Sequence, residues 1–539
     1  MKLNRMIMMF LTLALLFTAA CGGKSAEEKE NSEEAKERLE NLNTDGEFPI
    51  VNEEIELEMF VTSAPGANDW NDILIWNTYE DMTNIKVNWE QVPSDSVDEK
   101  RNLKFASNQN LPDVFYASGI RPLDILKYGE QGTILELNDL IDEYAPNVKK
   151  LFEEYPDVEA ALTFPDGKIY SLPGFYSPEF LSLIIGNRPW FNEEWLNDFG
   201  MDVPETTDEF YEYLKTVKEK DPAGNGDSVA FGTSDIEYLI NWVRGAFGLG
   251  NTGRAYIDKH PEDGDVRFYP ASDEYKEMLK YLNKLYEEGL IEQNVFSIEQ
   301  GQFLANAAEG NYGSTVFWTP ADLFGEAGAD FVGGTALEGP NGDKEYNYIN
   351  YPAYNIGKFV MTSANENPEA TMRWIDYFYG EEGSKLMFMG VEGETFEETE
   401  DGEFVYADHI RNSDEGLTLD QEVAKYLTWV VGVPAILKED YFQGSEKHPT
   451  ALESADGLEP YLIDEHWPAF LYTHEENRQL VTLENDIHKY VDEMRDLFIA
   501  GREDIDEKWD EYIQKIEQMR LDKYLEIVNE AYDRFKENN

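Results

Sequence analysis

Apolar and polar residues alternate with period two over residues 55–61, Ile-Glu-Leu-Glu-Met-Phe-Val, which predicts a strand running into a polar loop. Apolar positions then recur at helical spacing over residues 70–82 and alternate again over 85–89. A helix is expected over 100–109 and a buried strand over 111–117. Strand, helix, strand, helix, strand requires right-handed parallel crossovers and therefore an open α/β sheet. Ligands of such sheets sit beyond the carboxyl ends of the strands, which directs attention to residues 64–70 and 117–120. Further along, residues 177–187 are apolar and a helical stretch runs on through Trp195. Residues 207–220 read as a helix with Thr206 or Thr207 as N-cap and acids in the first turn. It stops before the loop Asp-Pro-Ala-Gly-Asn-Gly-Asp at 221–227. Amphipathic helices follow at 272–291 and 366–389, and residues 474–536 are almost continuously helical with a break near Gly501. There is no internal repeat, and no apolar span after residue 20 is long enough to cross a membrane.

The first residues change the picture from a fold to a compartment. Lys2 and Arg5 precede an apolar run at 6–20, and small residues Ala19 and Ala20 lead into Cys21, Gly22 and Gly23. That is the layout of a lipoprotein signal peptide over residues 1–20, with the thiol of Cys21 as the lipid acceptor. Cys21 is the only cysteine, so the folded body must rely on core burial without disulfides. Residues 21–49 are polar and rich in carboxylates and read as an acidic, solvated tether with a short helix near residues 33–42. The body, 50–539, is long enough for two sizeable domains.

Charge narrows the partners. With 109 Asp and Glu against 44 Lys and Arg, the formal net charge is −65. Such a surface repels nucleic acid and anionic headgroups, and a polyanionic ligand would need a local basic pocket. Self-repulsion keeps such a chain soluble and suits a surface exposed to salt or high pH. A monomer is expected.

At residues 105–115, Phe-Ala-Ser-Asn-Gln-Asn-Leu-Pro-Asp-Val-Phe, the chain resembles the extracellular solute-binding proteins of family 1. Segments 131–142, 166–173 and 195–210 agree in order, the last reading Trp-Leu-Asn-Asp-Phe-Gly-Met-Asp-Val-Pro-Glu-Thr-Thr-Asp-Glu-Phe. Residues 390–394, 509–513 and 524–532 are similar to the long lipoprotein subfamily that includes the alginate-binding proteins. The resemblance implies a two-lobed α/β fold of the periplasmic-binding-protein type, type II-like, with a ligand cleft between lobes and a helical C-terminal region. The N-lobe is expected mainly at 50–175 plus a later segment, and the C-lobe mainly at 176–365 plus the C-terminal helices. It further implies a lipid-anchored receptor on the extracellular face of the cell membrane, feeding an oligosaccharide to ABC permease subunits with a cytoplasmic ATPase. A surface polysaccharide hydrolase or lyase is the alternative, but no catalytic constellation stands out, so the expectation is a protein that is not an enzyme.

Sugar rings present apolar C–H faces that a planar aromatic can cover while amides and carboxylates bind the hydroxyls. Aromatics make up 13 % of the chain, and Trp70, Tyr176, Trp242, Trp318, Tyr351 and Tyr354 are the candidate platforms. Core packing is the competing reading for each. Asn68, Asp69, Ser118, Arg188 and Glu392 are candidate polar contacts, and Arg188 with Arg244 would fork a carboxylate if the ligand carried one. In the 221–227 loop Asp221, Asn225 and Asp227 are candidate calcium ligands, but Ala223 cannot ligate and a plain turn is favoured, leaving no expected cofactor. Residues 248–253, Gly-Leu-Gly-Asn-Thr-Gly, match a nucleotide-loop spacing without the flanking strand and helix it needs.

Overall fold

The computed structural model describes residues 33–539 apart from 45, 64–67, 108–109, 262, 418 and 429–432. The signal-peptide segment, Cys21 and the first part of the acidic stretch lie outside the described residues.

Fourteen strands follow in chain order among the described residues. They are β1 (Ile55–Ser63), β2 (Ile85–Pro93), β3 (Val114–Tyr116), β4 (Leu172–Tyr176), β5 (Arg188–Asn192), β6 (Val229–Phe231) and β7 (Ile257–Lys259). After them come β8 (Val266–Phe268), β9 (Tyr312–Phe317), β10 (Phe331–Gly333), β11 (Ala353–Met361), β12 (Phe396–Glu398), β13 (Phe404–Tyr406) and β14 (Ile436–Leu437). Six of them form one sheet in the order β14-β4-β11-β3-β1-β2, and four form another in the order β10-β5-β9-β6.

The expected parallel core of the first lobe is present. β1 pairs in parallel with β2 from Ile55↔Ile85 to Ser63↔Pro93, and with β3 at Met59↔Val114. Helices Leu74–Thr83 and Val97–Ser107 make the two crossovers. Leu57, Met59 and Val61 face one core with Trp76 and Trp374, while Phe60 faces another with Phe115 and Val360. Period two thus sends alternate side chains to opposite faces, with Leu57, Met59 and Val61 buried on one and only Phe60 buried on the other, beside exposed Glu56 and Glu58. Into this sheet β11 inserts antiparallel to both β3 and β4. The second lobe gathers around β5, β9, β6 and β10 and is buttressed by helices His474–Ile499, Ile505–Gln518 and Leu521–Asn538. The break in that C-terminal run falls where expected, at Gly501, whose φ is +65°.

The chain crosses between lobes three times: between β4 and β5, between β10 and β11, and between β14 and helix Pro449–Leu458. The lobe boundary therefore differs from the expected 365. β11 belongs to the first sheet, and residues 353–442 pack with the N-terminal lobe. A strand buried on both faces carries no label of the sheet it will join.

The tether is also shorter than expected. From Glu33 onward the chain is part of the first lobe: helix Glu33–Asn41 has Ala35 fully buried, and Leu42 bridges Val51. Arg38 grips Glu369 with two nitrogens at 2.9 Å, and Arg373 reaches the carbonyls of Asn43, Gly46 and Glu47. Helix Pro368–Asp376, more than three hundred residues away, supplies Glu369 and Arg373, which is why local composition could not reveal the docking.

Candidate functional site

The chain leaving β3 and the first crossing after β4 lie toward the second lobe, and there the structure brings several expected residues together. A notch of about 390 Å³ lies between lobes. Its walls include residues 119–122 after β3, the start of β11 with Tyr354 and Asn355, Tyr351 on the second crossing, Arg254 from the second lobe, and Pro468 with Ala469. Tyr176, at the end of β4, stacks on Tyr354 with ring centres 4.1 Å apart and planes 19° from parallel. The Ser118 Oγ is buried without a hydrogen-bond partner, and the Tyr354 hydroxyl is buried against that of Tyr176. Ser118 directly precedes the wall residue Gly119, so its hydroxyl stands beside the notch. Tyr351 donates to Asp157 at 2.7 Å and sets its ring edge-on to His466 at 5.4 Å.

On the opposite lobe, Trp318 follows β9 with 40 % of its surface exposed, the one tryptophan among the large exposed apolar side chains of the described residues. Its ring lies 5.4 Å from that of Phe317, 25° from parallel. Arg188 and the indole of Trp190 both donate to the Trp318 carbonyl at 3.2 Å. Arg188 is thus not a ligand fork. It is fully buried, donates to the Ser182 carbonyl at 2.6 Å, and ties the first crossing to the backbone that carries Trp318. Burial lowers the proton affinity of its guanidinium to about 10.

Other expectations are corrected by packing. Trp70 is 3 % exposed, because Asp69 caps a single 3₁₀ turn, accepting from the Asn71 amide at 3.0 Å, and that turn swings the indole inward. There it joins Trp76, Trp89 and Tyr116. Asp69 and Asn68 remain exposed near the end of β1, where the Asn68 amide donates to the Ala424 carbonyl at 2.7 Å. Trp242 is buried between Phe191 and Phe210 and donates to Thr335 O at 3.0 Å. Glu392 is exposed in the turn before β12, bridged to Phe396, and forms no wall of the notch.

Arg244 is buried too, donating to Asn347 Oδ1 at 2.5 Å and to its carbonyl at 3.1 Å. The glycine-rich loop at 248–253 exists to wrap it: a Cβ at Gly250 would lie 2.7 Å from Arg244 Nε, and one at Gly253 2.6 Å from the His466 ring. Spacing that resembles a phosphate loop is here a packing requirement. The 221–227 loop closes on itself. Asp221 accepts the Gly226 and Ser228 amides at 2.7 and 3.2 Å, and Ser228 Oγ accepts the Ala223 amide at 2.9 Å. Both carboxylate oxygens of Asp221 thus brace the backbone of a closed turn that also carries Asn225 and Asp227. Among the described residues no cluster of three or more His, Cys, Asp or Glu could hold a metal ion.

Sequence reasoning missed Arg254, His466 and the pair Asn187–Tyr348, joined at 3.2 Å. Asn187 Oδ1 is another buried acceptor without a partner. The only signal for Arg254 was its position directly after the glycine loop. Burial first, then the charges of Arg254 and Arg244, lowers the His466 pKa from 6.5 to about 4. The unfolded chain therefore binds this proton more tightly than the folded one. Stability from this residue is complete above pH 6.5 and is lost as pH falls toward 4, by ~2–3 kcal/mol. Urea unfolding of wild type and His466→Gln at pH 7 and 4.5 should show the wild type losing that much relative to the variant; an unchanged difference would refute it.

Residues 68–385 match the sequence profile of bacterial extracellular solute-binding proteins. Over 98 % of its length the chain is 30 % identical to 97 % of the fructooligosaccharide ABC transporter substrate-binding protein FusA of Streptococcus pneumoniae. The structure of FusA in complex with kestose superposes with a TM-score of 0.72, covering 90 % of this chain and 100 % of that one at 27 % identity. Lipoprotein LipO of Bacillus subtilis is 27 % identical over 59 % of this chain and 62 % of its own. The alginate-binding protein AlgQ2, solved without calcium ion, shares the fold, with a TM-score of 0.70 over 90 % of this chain and 99 % of that one at 23 % identity.

Proposed function

The chain belongs to the bacterial extracellular solute-binding proteins, and from that premise we propose that it captures an oligosaccharide between its lobes for an ABC transporter. The observation that carries this reading is the interlobe notch itself. Stacked Tyr176 and Tyr354 lie at it, and the buried Ser118 hydroxyl next to its wall has no partner in the chain. An oligosaccharide suits such a wall, with hydroxyls for its polar groups and apolar ring faces for the aromatics. On the other lobe, exposed Trp318 offers a further platform for a sugar ring. With three crossings acting as a hinge, contacts to both walls form together only when the lobes close. The closed, loaded form is then what the permease subunits and their ATPase recognise. No bond is made or broken in this cycle, and no cofactor takes part.

FusA, which is similar over almost the whole chain, carries fructooligosaccharides in its name, and sugar capture comes to this chain by that likeness together with the notch. Anchoring through Cys21 belongs to the same proposal: a diacylated first residue would hold the body at the extracellular face. Cys21→Ser should then release the protein into the medium, and retention of the variant at the membrane would refute the anchor. Sugar capture itself is tested by thermal shift of the mature protein against neutral and acidic oligosaccharides. Ligand at one hundred times its Kd should stabilise the protein by ~2.7 kcal/mol. If peptides raise the melting temperature and no sugar does, the reading falls.

A further inference from the structure

Arg254 stands apart from the other arginines. Every other arginine of the described residues that is not exposed is held by a carboxylate, a carbonyl or a side-chain amide. Arg254 is half-buried and has neither an ion pair nor a hydrogen bond among the described residues, and its Nε is fully enclosed without a partner. Glu484 is near enough for Arg254 to favour its ionised form, yet the two form no ion pair. In a chain with 109 acids and 44 bases, a partly desolvated guanidinium left unpaired is costly unless something outside the chain completes it.

Its surroundings say what that would be. The walls of the notch hold a second arginine, Arg121, and no carboxylate among the described residues. Arg121 is mostly exposed and is shared with Asp124 at 2.9 Å. A larger groove of about 610 Å³ on the flank of the first lobe makes the contrast: its walls carry Glu154, Glu179, Glu381, Glu439 and Asp440. Among the described residues the walls of this interlobe notch thus carry no carboxylate, on a molecule where acids are otherwise abundant. Gly253, with φ +75°, packs against His466 and sets the backbone from which Arg254 extends. Tyr351 and Tyr354 share the walls of the same notch.

We propose that Arg254 is the residue that sets ligand specificity, and that the ligand is an acidic oligosaccharide whose sugar carboxylate Arg254 holds in the notch. A guanidinium presents parallel N–H donors that match the two oxygens of a carboxylate, whereas an isolated hydroxyl uses one. A tyrosine face in the same notch covers the ring of that sugar. This inference rests on the oligosaccharide reading above and adds the sign of the ligand's charge.

The test is isothermal titration of the mature protein with two panels of matched length. One holds tri- and tetrasaccharides of galacturonate, mannuronate and guluronate; the other holds kestose, nystose, cellotriose and galactotriose. At least one uronate is expected to bind about a hundredfold more tightly than any neutral sugar, with affinity falling as salt rises from 20 to 200 mM. Arg254→Gln should remove most of that preference while leaving the unliganded melting temperature unchanged or higher, and Arg254→Lys should recover only part of it. If neutral sugars bind and uronates do not, or if Arg254→Gln weakens both panels equally, the inference is overturned and sugar capture stands. If no sugar of either panel binds, both fall together.

Discussion

Trp318→Ala is expected to weaken oligosaccharide binding about thirtyfold while leaving the stability of the free protein within ~1 kcal/mol. The indole is 40 % exposed, so truncation removes little packing from the fold. What it removes is a platform already held in position: the ring rests against Phe317, and its own carbonyl receives hydrogen bonds from buried Arg188 and from Trp190. Because the fold has ordered the ring beforehand, little entropy is lost when a sugar stacks on it. A stacking contact of this kind contributes ~1–2 kcal/mol beyond a methyl group, up to about thirtyfold in Kd. Titration calorimetry with a ligand found by thermal shift measures the loss. Unchanged affinity would place the sugar elsewhere in the cleft.

Trp374→Ala is expected to do the reverse, destabilising the first lobe by ~3–5 kcal/mol without any direct contact to ligand. Trp374 is 1 % exposed at the centre of an aromatic cluster. It stacks on Trp76 with ring centres 5.7 Å apart and planes 23° from parallel, and meets Tyr79 at 5.4 Å and Phe378 at 5.3 Å. Alanine leaves a cavity bounded by rigid rings that cannot collapse into it. The two lobes have separate cores, so the first-lobe transition in urea should move to lower denaturant while the second-lobe transition stays. A loss below about 1 kcal/mol would mean that the cluster relaxes, contrary to its packing.

These two tryptophans show where sequence reading succeeds and where it stops. Trp374 sits at helical spacing in an amphipathic segment, and that pattern alone puts it in the core. Trp70 had the same chemistry as Trp318 and a loop position at the end of a strand, yet it is core. The difference lies in Asp69, whose cap tightens one turn and reverses the indole, and in Trp76 and Trp89, which wait to receive it. Arg188 and Arg244 likewise had the right chemistry for a carboxylate. Whether a guanidinium faces ligand or carbonyl depends on Ser182, Asn347 and the backbone around Trp318, none of which is marked as its partner along the chain.

By itself the sequence determined the alternating strands of the first lobe, the helix over 207–220 with its cap at Thr206 or Thr207, the helical C-terminal region and the family. All of these rest on periods of two and 3.6 residues or on short contiguous stretches, so local order suffices to state them. Only the tertiary structure decided that β11 enters the first sheet from a distant stretch of the chain, that residues 33–44 dock on the first lobe, and that Arg254 rather than Arg188 faces the cleft. Each of these depends on contacts between residues far apart in sequence. Such contacts are chosen by shape and by the demand that buried polar groups be paired, and neither condition leaves a periodic trace in the chain.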